Sequence, residues 1–283
     1  MKTGVILDTD IGYDPDDFFA LLLLLNSTEL PVDLIVTGDE VGGKRAALVT
    51  KVLGVCDRKI SVVQGVDLGN NKHFTVDALV KDAPACVDTD YLNEMRRVCD
   101  TSDRVVYLGI GGFTNLANLL STHPDVKEKL DVYPMGGAVG YVRRAGWVEH
   151  NAKLDPDATR SVLTSGVKLS LVMAQTTYNS VYEINDKHPI YRRLKESERP
   201  EHRLLVQHCD LFYAAKGFWS LMHDPLTVSV AMGNSFVDFY DAGVSVDGQG
   251  NLAISEVNPK IRLSKTESRA KEFMEFLEQR LFV

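Results

Sequence analysis

Five aspartates lie within ten positions near the start of the chain, in the segment ILDTDIGYDPDDFFALLLLL at residues 6–25. They are Asp8, Asp10, Asp14, Asp16 and Asp17. Carboxylates this close repel one another, so their charge must be compensated. A hard cation would do this, because Ca²⁺ takes roughly six to eight oxygen ligands and Mg²⁺ takes fewer in a stricter octahedral geometry. The segment therefore predicts a metal site.

The same residues also fit the start of a helix. Asp14 would be the N-cap, Pro15 the first helical residue, and Asp16 and Asp17 would face the positive end of the helix dipole. This interpretation does not account for Asp8 and Asp10, which lie at the end of the preceding strand. We expect both of these side chains to point into the same space, and a metal is the favoured explanation.

The strand end DTDIG resembles the first motif of haloacid-dehalogenase-like phosphatases. In that family the first aspartate is a nucleophile and the metal is Mg²⁺, so the resemblance would make Asp8 the nucleophile. Gly12 stands where the family has Thr or Val. The chain contains neither an EF-hand loop nor a P-loop.

Short apolar runs alternate with longer amphipathic segments along most of the chain. The predicted strands are GVILDTD, VDLIVTG, ISVVQG, RVVYLGI, LDVYPMGG and KLSLVMA, and helical patterns include GGKRAALVTKVLGV, TNLANLLSTHP and PDATRSVLTSG. This alternation predicts an α/β fold, with an open, mostly parallel sheet flanked by helices and a Rossmann-like core. Ligands of such folds bind at the carboxyl ends of the strands.

Several polar segments follow these strands and should therefore converge. They are Asp8 with Asp10, and residues 38–40, 110–115 and 135–137. We expect one domain over residues 1–283. The alternation fades at about residues 178–220, which predicts a helical insertion or lid on the same domain, although the charged stretch around Pro200 could also be a loop.

Composition narrows the classes of partner. The 283 residues are 45% hydrophobic, enough for a large core, and the net charge of -8 with no run of Lys and Arg argues against nucleic acid and anionic membranes. The first residues do not resemble a signal peptide, and the longest apolar run is too short to span a bilayer, so we expect a cytoplasmic protein. The four scattered cysteines predict free thiols.

Five segments, in order along residues 5–232, resemble those of the inosine-uridine nucleoside hydrolase family. They are LDTDIGYDPDDFFAL, GIGGFTNLANLL, YPMGGAVG, VEHNAKLDPDA and MHDPLTVSVAM. The resemblance implies a nucleoside hydrolase-like fold and a nucleoside N-ribohydrolase, which splits a ribonucleoside into ribose and free base. It also implies that the metal is Ca²⁺.

The resemblance assigns roles to particular residues. Asp10, Asp17 and Asp224, with the backbone carbonyl of Ile110, would bind Ca²⁺. Asp10 would also act as the base towards a Ca²⁺-bound water, and His223 would protonate or polarise the departing nucleobase, a task that an ordinary pKa near 6.5 would suit.

Further residues would bind the substrate. Asp16, Glu149 and Asn151 match the ribose-binding residues of the family. Glu40 and Arg143 stand where the family has two asparagines, and their opposite charges suggest that they pair across the pocket. We therefore expect a substrate other than plain inosine or uridine, with a modified base, a modified 5′ group or a phosphate.

Aromatic residues just before His223 could stack on a base. They are Tyr213, Phe218 and Trp219, and packing into the core is an equal alternative for them. The other histidines are assigned to the surface or the core, except His150, which lies between Glu149 and Asn151.

The sequence thus predicts a Ca²⁺-dependent nucleoside N-ribohydrolase that acts on a small-molecule nucleoside. By analogy with the family, a homodimer or homotetramer is expected. Two alternatives stay open, namely the Mg²⁺-dependent phosphatase and a catalytically silent homologue that binds a nucleoside or ribose derivative. The sequence does not identify the nucleobase.

Overall fold

The structure is a computed structural model, and it describes residues 2–83, 90–217 and 219–283. The expectations for the Cys86 thiol and for Phe218 as a stacking residue lie outside the described residues. The remaining cysteines, Cys56, Cys99 and Cys209, are free thiols, as predicted. No helix in the described ranges combines the length and the hydrophobicity needed to cross a membrane.

The strands of the described chain are short and mostly buried. They are β1 (Thr3–Thr9), β2 (Leu34–Thr37), β3 (Ser61–Gln64), β4 (Arg104–Gly109), β5 (Leu130–Pro134), β6 (Lys168–Leu171), β7 (Glu183–Ile184), β8 (Ser220–Leu221), β9 (Val237–Val246), β10 (Leu252–Ser255) and β11 (Lys260–Ser268).

Helices connect most of these strands. They are α1 (Asp16–Leu25), α2 (Lys44–Val55), α3 (Asp77–Val80), α4 (Tyr91–Asp100), α5 (Thr114–Thr122), α6 (His150–Leu154), α7 (Pro156–Thr164), α8 (Ala174–Thr177), α9 (Pro189–Glu196), α10 (Pro200–Lys216), α11 (His223–Ala231) and α12 (Ala270–Leu281). Short 3₁₀ turns cover Asn71–His73, Pro124–Lys129 and Ser180–Tyr182.

Nine of the strands form one sheet in the order β10-β9-β11-β6-β5-β4-β1-β2-β3. The pairings from β3 to β11 are parallel, and β9 and β10 extend the sheet as antiparallel strands. The predicted α/β class and mostly parallel sheet are thus confirmed. The chain order reverses at β1, which pairs with both β2 and β4. Such a switch point opens a crevice at the carboxyl ends of the strands.

Helix α1 carries the second half of the acidic segment into the core. Every residue of α1 is buried, because its apolar residues cover the whole circumference of the helix. The helix packs against α11, which brings Asp16 and Asp17 towards Asp224. The start of α1 differs from the prediction: the helix begins at Asp16, with Pro15 as a cap that makes no side-chain hydrogen bond.

The segment between residues 178 and 220 contains α9 and α10. Pro200 occupies the first turn of α10, where its missing N–H costs no hydrogen bond. Leu194, Leu205 and Phe212 of these helices are buried, the first two in the same core cluster as α1. Residues 197–199 form a short non-helical link after α9, whereas the charged residues from Pro200 onward belong to a packed helix, so each interpretation of this stretch holds in part.

Candidate active site

A cavity of about 620 Å³ opens at the switch point of the sheet. Residues from separate parts of the chain line it, and they include most of those proposed from the sequence: Asp10, Asp16, Asp17, Ile110, Arg143, Glu149, Asn151, His223 and Asp224. Asp10 follows β1 and Ile110 follows β4, the two strands that flank the switch point. The topology therefore explains why these distant residues meet.

Three carboxylates form the floor of the cavity. Asp16, Asp17 and Asp224 are buried, and one oxygen from each lies within 4.8 Å of the others. Thr9 Oγ1 donates a hydrogen bond of 2.5 Å to Asp17 Oδ1 and so fixes one of these carboxylates. The structure thus places the start of the first helix and the distant His-Asp step in one cavity.

The electrostatics of the floor require a positive partner. Burial raises the pKa of Asp16, Asp17 and Asp224 well above the ordinary value, and repulsion between neighbouring carboxylates raises it further. Burial also raises the pKa of Asp10, while the charge of Arg45 opposes that rise. Ionised carboxylates so close together are costly unless a cation binds to them.

The donor set fits a hard divalent cation. The carboxylates offer oxygen atoms, and the Ile110 backbone lies in the same cavity. Ca²⁺ and Mg²⁺ favour such ligands, whereas Zn²⁺ favours histidine and cysteine. The residues present therefore fit the metal that the acidic segment predicts.

Asp8 does not share this cavity, contrary to the expectation that it points with Asp10 into one space. Its carboxylate accepts hydrogen bonds from Tyr107 Oη at 2.5 Å and from Asn115 Nδ2 at 2.9 Å. Burial raises its pKa to about 7. A buried carboxylate held in this way is badly placed to attack a phosphate, which argues against the phosphatase alternative.

Glu40 also lies outside the cavity, so its predicted contact with substrate and its pairing with Arg143 are wrong. Its carboxylate accepts hydrogen bonds from Thr37 Oγ1 at 2.6 Å, from the Val41 amide at 2.9 Å and from the Ala46 amide at 2.8 Å. These bonds hold the loop after β2 and the first turn of α2. Glu40 is therefore structural.

Glu149 and Asn151 lie in the cavity and are positioned by backbone contacts. The Glu149 carboxylate accepts hydrogen bonds from the amides of Gly137 (2.7 Å), Asn151 (3.0 Å) and Ala152 (2.9 Å), which caps α6. Asn151 Nδ2 donates to the carbonyl oxygens of Ile110 at 3.2 Å and Met135 at 3.1 Å. These bonds fix both side chains before any ligand binds.

His223 lies beside Asp224 at the start of α11 and lines the same cavity. Its Nδ1 is 2.6 Å from Thr177 Oγ1, and its ring packs edge-on against Tyr178 with centroids 4.9 Å apart. Burial lowers the pKa of His223 to about 3, and the nearby charge of Arg143 adds to this. The ring is therefore neutral at physiological pH, and the expectation of an ordinary pKa does not hold.

Comparison with known proteins agrees with this geometry. Residues 5–277 match the model of a family described as inosine-uridine preferring nucleoside hydrolase. The chain belongs to this family. The resemblance noted in the sequence is thus confirmed, as is the assignment to a class of enzymes, the nucleoside hydrolases.

Curated relatives of this nucleoside hydrolase family member include two bacterial proteins, each named a pyrimidine-specific ribonucleoside hydrolase RihA. The protein from Escherichia coli O81 (strain ED1a) is 24% identical over 273 residues, covering 88% of this chain and 86% of its own. That from Salmonella newport (strain SL254) is 26% identical over 273 residues with the same coverage.

Solved structures show the same fold as this nucleoside hydrolase family member. A plant nucleoside hydrolase superimposes with a TM-score of 0.82 at 22% identity, over 99% of this chain and 98% of that one. A purine-preferring ribonucleoside hydrolase from Gardnerella vaginalis gives a TM-score of 0.79 at 22% identity, with the same coverage.

The cavity of this nucleoside hydrolase family member also contains Tyr13 and His73, which the sequence did not single out, beside His150, which it did. His73 and His150 pack edge-to-face with ring centroids 4.6 Å apart, and Tyr13 packs against His73 at 5.1 Å. His150 Nε2 is 3.9 Å from Asp10 Oδ2. His73 had been assigned to the surface or core, because no neighbouring motif in the sequence marks it.

The aromatic residues expected to stack on a base are only partly in place. Trp219 lines the cavity, whereas Tyr213 Oη donates a hydrogen bond of 2.8 Å to the Ile184 carbonyl and does not line it. Phe212 lines the cavity instead, together with Trp147 and Tyr178. The helix α10 thus places Phe212 in the wall of the cavity, and not the predicted Tyr213.

Arg45 is a fully buried charged residue that sequence reasoning missed. Its fully buried guanidinium donates hydrogen bonds to the Asp10 and Ile11 carbonyls, to the Asp39 carbonyl at 2.7 Å and to the His73 carbonyl at 2.9 Å. It therefore ties together the loops that follow β1, β2 and β3. Its charge also opposes the rise in the pKa of Asp10 and Asp17.

We expect Arg45→Met to lower the free energy of unfolding by about 3–5 kcal/mol, because it leaves four carbonyls without this donor and the buried Asp39 carboxylate without its positive partner. Urea denaturation measures this loss. Arg58→Met is the matched control, because the exposed Arg58 makes a single side-chain hydrogen bond, to the Leu25 carbonyl. Equal losses in the two variants would contradict the role given to Arg45.

Proposed function

We propose that this protein hydrolyses the N-glycosidic bond of a ribonucleoside to give ribose and the free base, with Ca²⁺ bound at the acidic floor. Membership of the nucleoside hydrolase family supports the reaction class. The observation that carries the site is the grouping of Asp16, Asp17 and Asp224 within 4.8 Å, in a cavity that also contains Asp10 and His223.

The proposed metal ligands are Asp10, Asp17, Asp224 and the Ile110 carbonyl. When bound, Ca²⁺ would lower the pKa of a water molecule and hold the ribose hydroxyls. Asp16 is the remaining carboxylate of the floor, and we assign it to hydrogen bonds with the ribose.

Different residues then act on the attacking water, the sugar and the base. Asp10 accepts the proton of the attacking water, and the water oxygen forms a bond to the anomeric carbon as the bond to the base breaks. Glu149 and Asn151, already fixed by backbone contacts, face the sugar. His223 hydrogen-bonds the departing base through its neutral ring, and the base takes up a proton from solvent as it leaves, which balances the proton that Asp10 accepts and later returns to solvent.

The wider organisation stays a proposal as well. We propose a single domain over residues 1–283 in which the helical segment at about 178–220 is an insertion. Its buried contacts with the core of α1 support this arrangement. A homodimer or homotetramer and a cytoplasmic location stay predictions.

The experiment that tests the function is release of ribose and free base from a mixture of natural nucleosides, detected by mass spectrometry with and without a Ca²⁺ chelator. We expect both products with Ca²⁺ and a loss of at least about a hundredfold in rate with the chelator, because the water then lacks the cation that lowers its pKa and prepares it for proton transfer to Asp10. Tight nucleoside binding without products over hours would support the silent homologue instead.

A further inference from the structure

The cavity carries opposite charges at its floor and its rim. The floor holds the carboxylates described above, whereas Arg143, Arg144 and Lys153 also line the cavity and are exposed. The chain as a whole has a net charge of -8, so a group of three cations at the mouth does not follow from its composition.

These three cations have no acidic partner among the described residues. Ion pairs occur elsewhere on the described surface, for example between Arg96 and Asp125 and between Arg160 and Asp157, but none includes a rim residue. Grouped cations repel one another, and an arriving anion relieves that repulsion.

Arg143 is held in a defined orientation. Its Nη1 donates a hydrogen bond of 3.1 Å to Tyr178 Oη, and its Cζ lies 4.2 Å from the centroid of the Tyr178 ring. Tyr178 is itself packed edge-on against Trp147 at 5.7 Å and His223 at 4.9 Å. An arginine has five N–H donors, and a planar guanidinium fixed in this way can present the others as a fork to a carboxylate or phosphate.

We propose that the substrate is a ribonucleoside that carries a phosphate or carboxylate group, and that Arg143 is the residue that determines this specificity. Arg144 and Lys153 add to the attractive potential at the rim. The inference rests on the proposed function, because it names the substrate class of the same cavity. The guanidinium of Arg143 would form charge-assisted, bidentate hydrogen bonds with the anionic group, and such bonds discriminate strongly against a neutral analogue.

Calorimetric binding in the presence of Ca²⁺ tests the proposal with three probes: uridine, uridine 5′-monophosphate and orotidine. Asp10→Asn protein is used so that the probes are not consumed, and it is kept at saturating Ca²⁺ because Asp10 is also a proposed ligand of the metal. We expect one anionic probe to bind at least about tenfold tighter than uridine. Uridine 5′-monophosphate carries its negative charge at the ribose 5′ position, whereas orotidine carries it on the base, so the tighter of the two shows where the anion binds. Inosine and inosine 5′-monophosphate repeat the comparison with a purine.

Substitutions of Arg143 test whether this residue causes the preference for an anionic probe. In the same background, Arg143→Gln should weaken the preferred anionic probe about tenfold or more and change uridine by less than about twofold, whereas Arg143→Lys should recover part of the loss. Arg192→Gln is the matched control, because Arg192 is an exposed arginine on α9 that makes no ion pair among the described residues.

The outcomes separate this inference from the proposed function. Equal affinities for neutral and anionic probes, no binding of any probe, or equal weakening of uridine by Arg143→Gln would each overturn the inference. Ribose release by the wild-type protein is scored separately, and its kcat/KM values for the same probes repeat the comparison without the Asp10 substitution. Charge-selective binding with no ribose release would leave the anion site in place and reject the proposed hydrolysis.

Discussion

We expect Asp10→Asn to lower the rate of ribose release by about 10²–10⁴-fold, because an amide cannot accept the proton of the attacking water. Asp10 lies directly after β1 and lines the cavity beside the buried carboxylates of Asp17 and Asp224. Single-turnover measurement of ribose release at saturating Ca²⁺ checks the expected loss. Near-normal turnover in this variant would remove Asp10 from the reaction.

Asp8→Asn is the matched control for this prediction. Asp8 is a buried aspartate two residues earlier, held by Tyr107 and Asn115 outside the cavity. We expect this variant to keep ribose release within about threefold, with any cost confined to stability, since most single substitutions away from the chemistry act through folding. Loss of a phosphatase activity in Asp8→Asn would instead support the phosphatase alternative.

Asp8 and Asp10 also show what alternation along a strand can and cannot predict. Residues two apart on a regular strand point to the same face, which is why both were expected in one space. The strand β1 ends at Thr9, however, so Asp10 belongs to the loop and is free of that alternation. Because β1 ends one residue before Asp10, the Asp10 side chain lines the cavity and the Asp8 side chain does not.

The parallel strands β1 to β6 were predictable because they are largely buried and appear as apolar runs ending in Gly, Asp or Thr. The strands β9, β10 and β11 were not assigned, although β11 pairs in parallel with β6. β9 alternates buried and exposed residues irregularly over Val237–Val246, so it lacks the continuous apolar run used to recognise the other strands. The antiparallel edge of the sheet was missed for this reason.

Residues in loops were the hardest to place. Asp39 has a φ of 46°, a left-handed conformation that turns the chain just before Glu40 and directs Glu40 towards the amides of α2. Sequence alone does not reveal such a turn, so Glu40 was placed in the pocket. His73 lies in a 3₁₀ turn far from the recognised segments, and only tertiary packing brings it next to His150.

The second large effect concerns the acidic floor. Adding Ca²⁺ at about 100 times its dissociation constant should raise the Tm of the wild-type protein by roughly 5–10 °C, because binding at that excess stabilises the folded state by about 2.7 kcal/mol. Asp224→Asn should lose most of this increase. In chelator, the same variant should melt above the wild type, because one of several repelling buried carboxylates becomes neutral. Differential scanning calorimetry measures both differences.

This reversal of sign distinguishes a metal site from an ordinary buried ion pair. Asp131→Asn is the control, because Asp131 is buried but forms ion pairs with Arg104 and Lys168. Its substitution should lower the Tm with and without Ca²⁺ and leave the Ca²⁺-induced increase unchanged. An equal increase in Asp224→Asn and the wild type would place the cation elsewhere, and a larger increase with Mg²⁺ than with Ca²⁺ would reject the proposed metal while retaining the site.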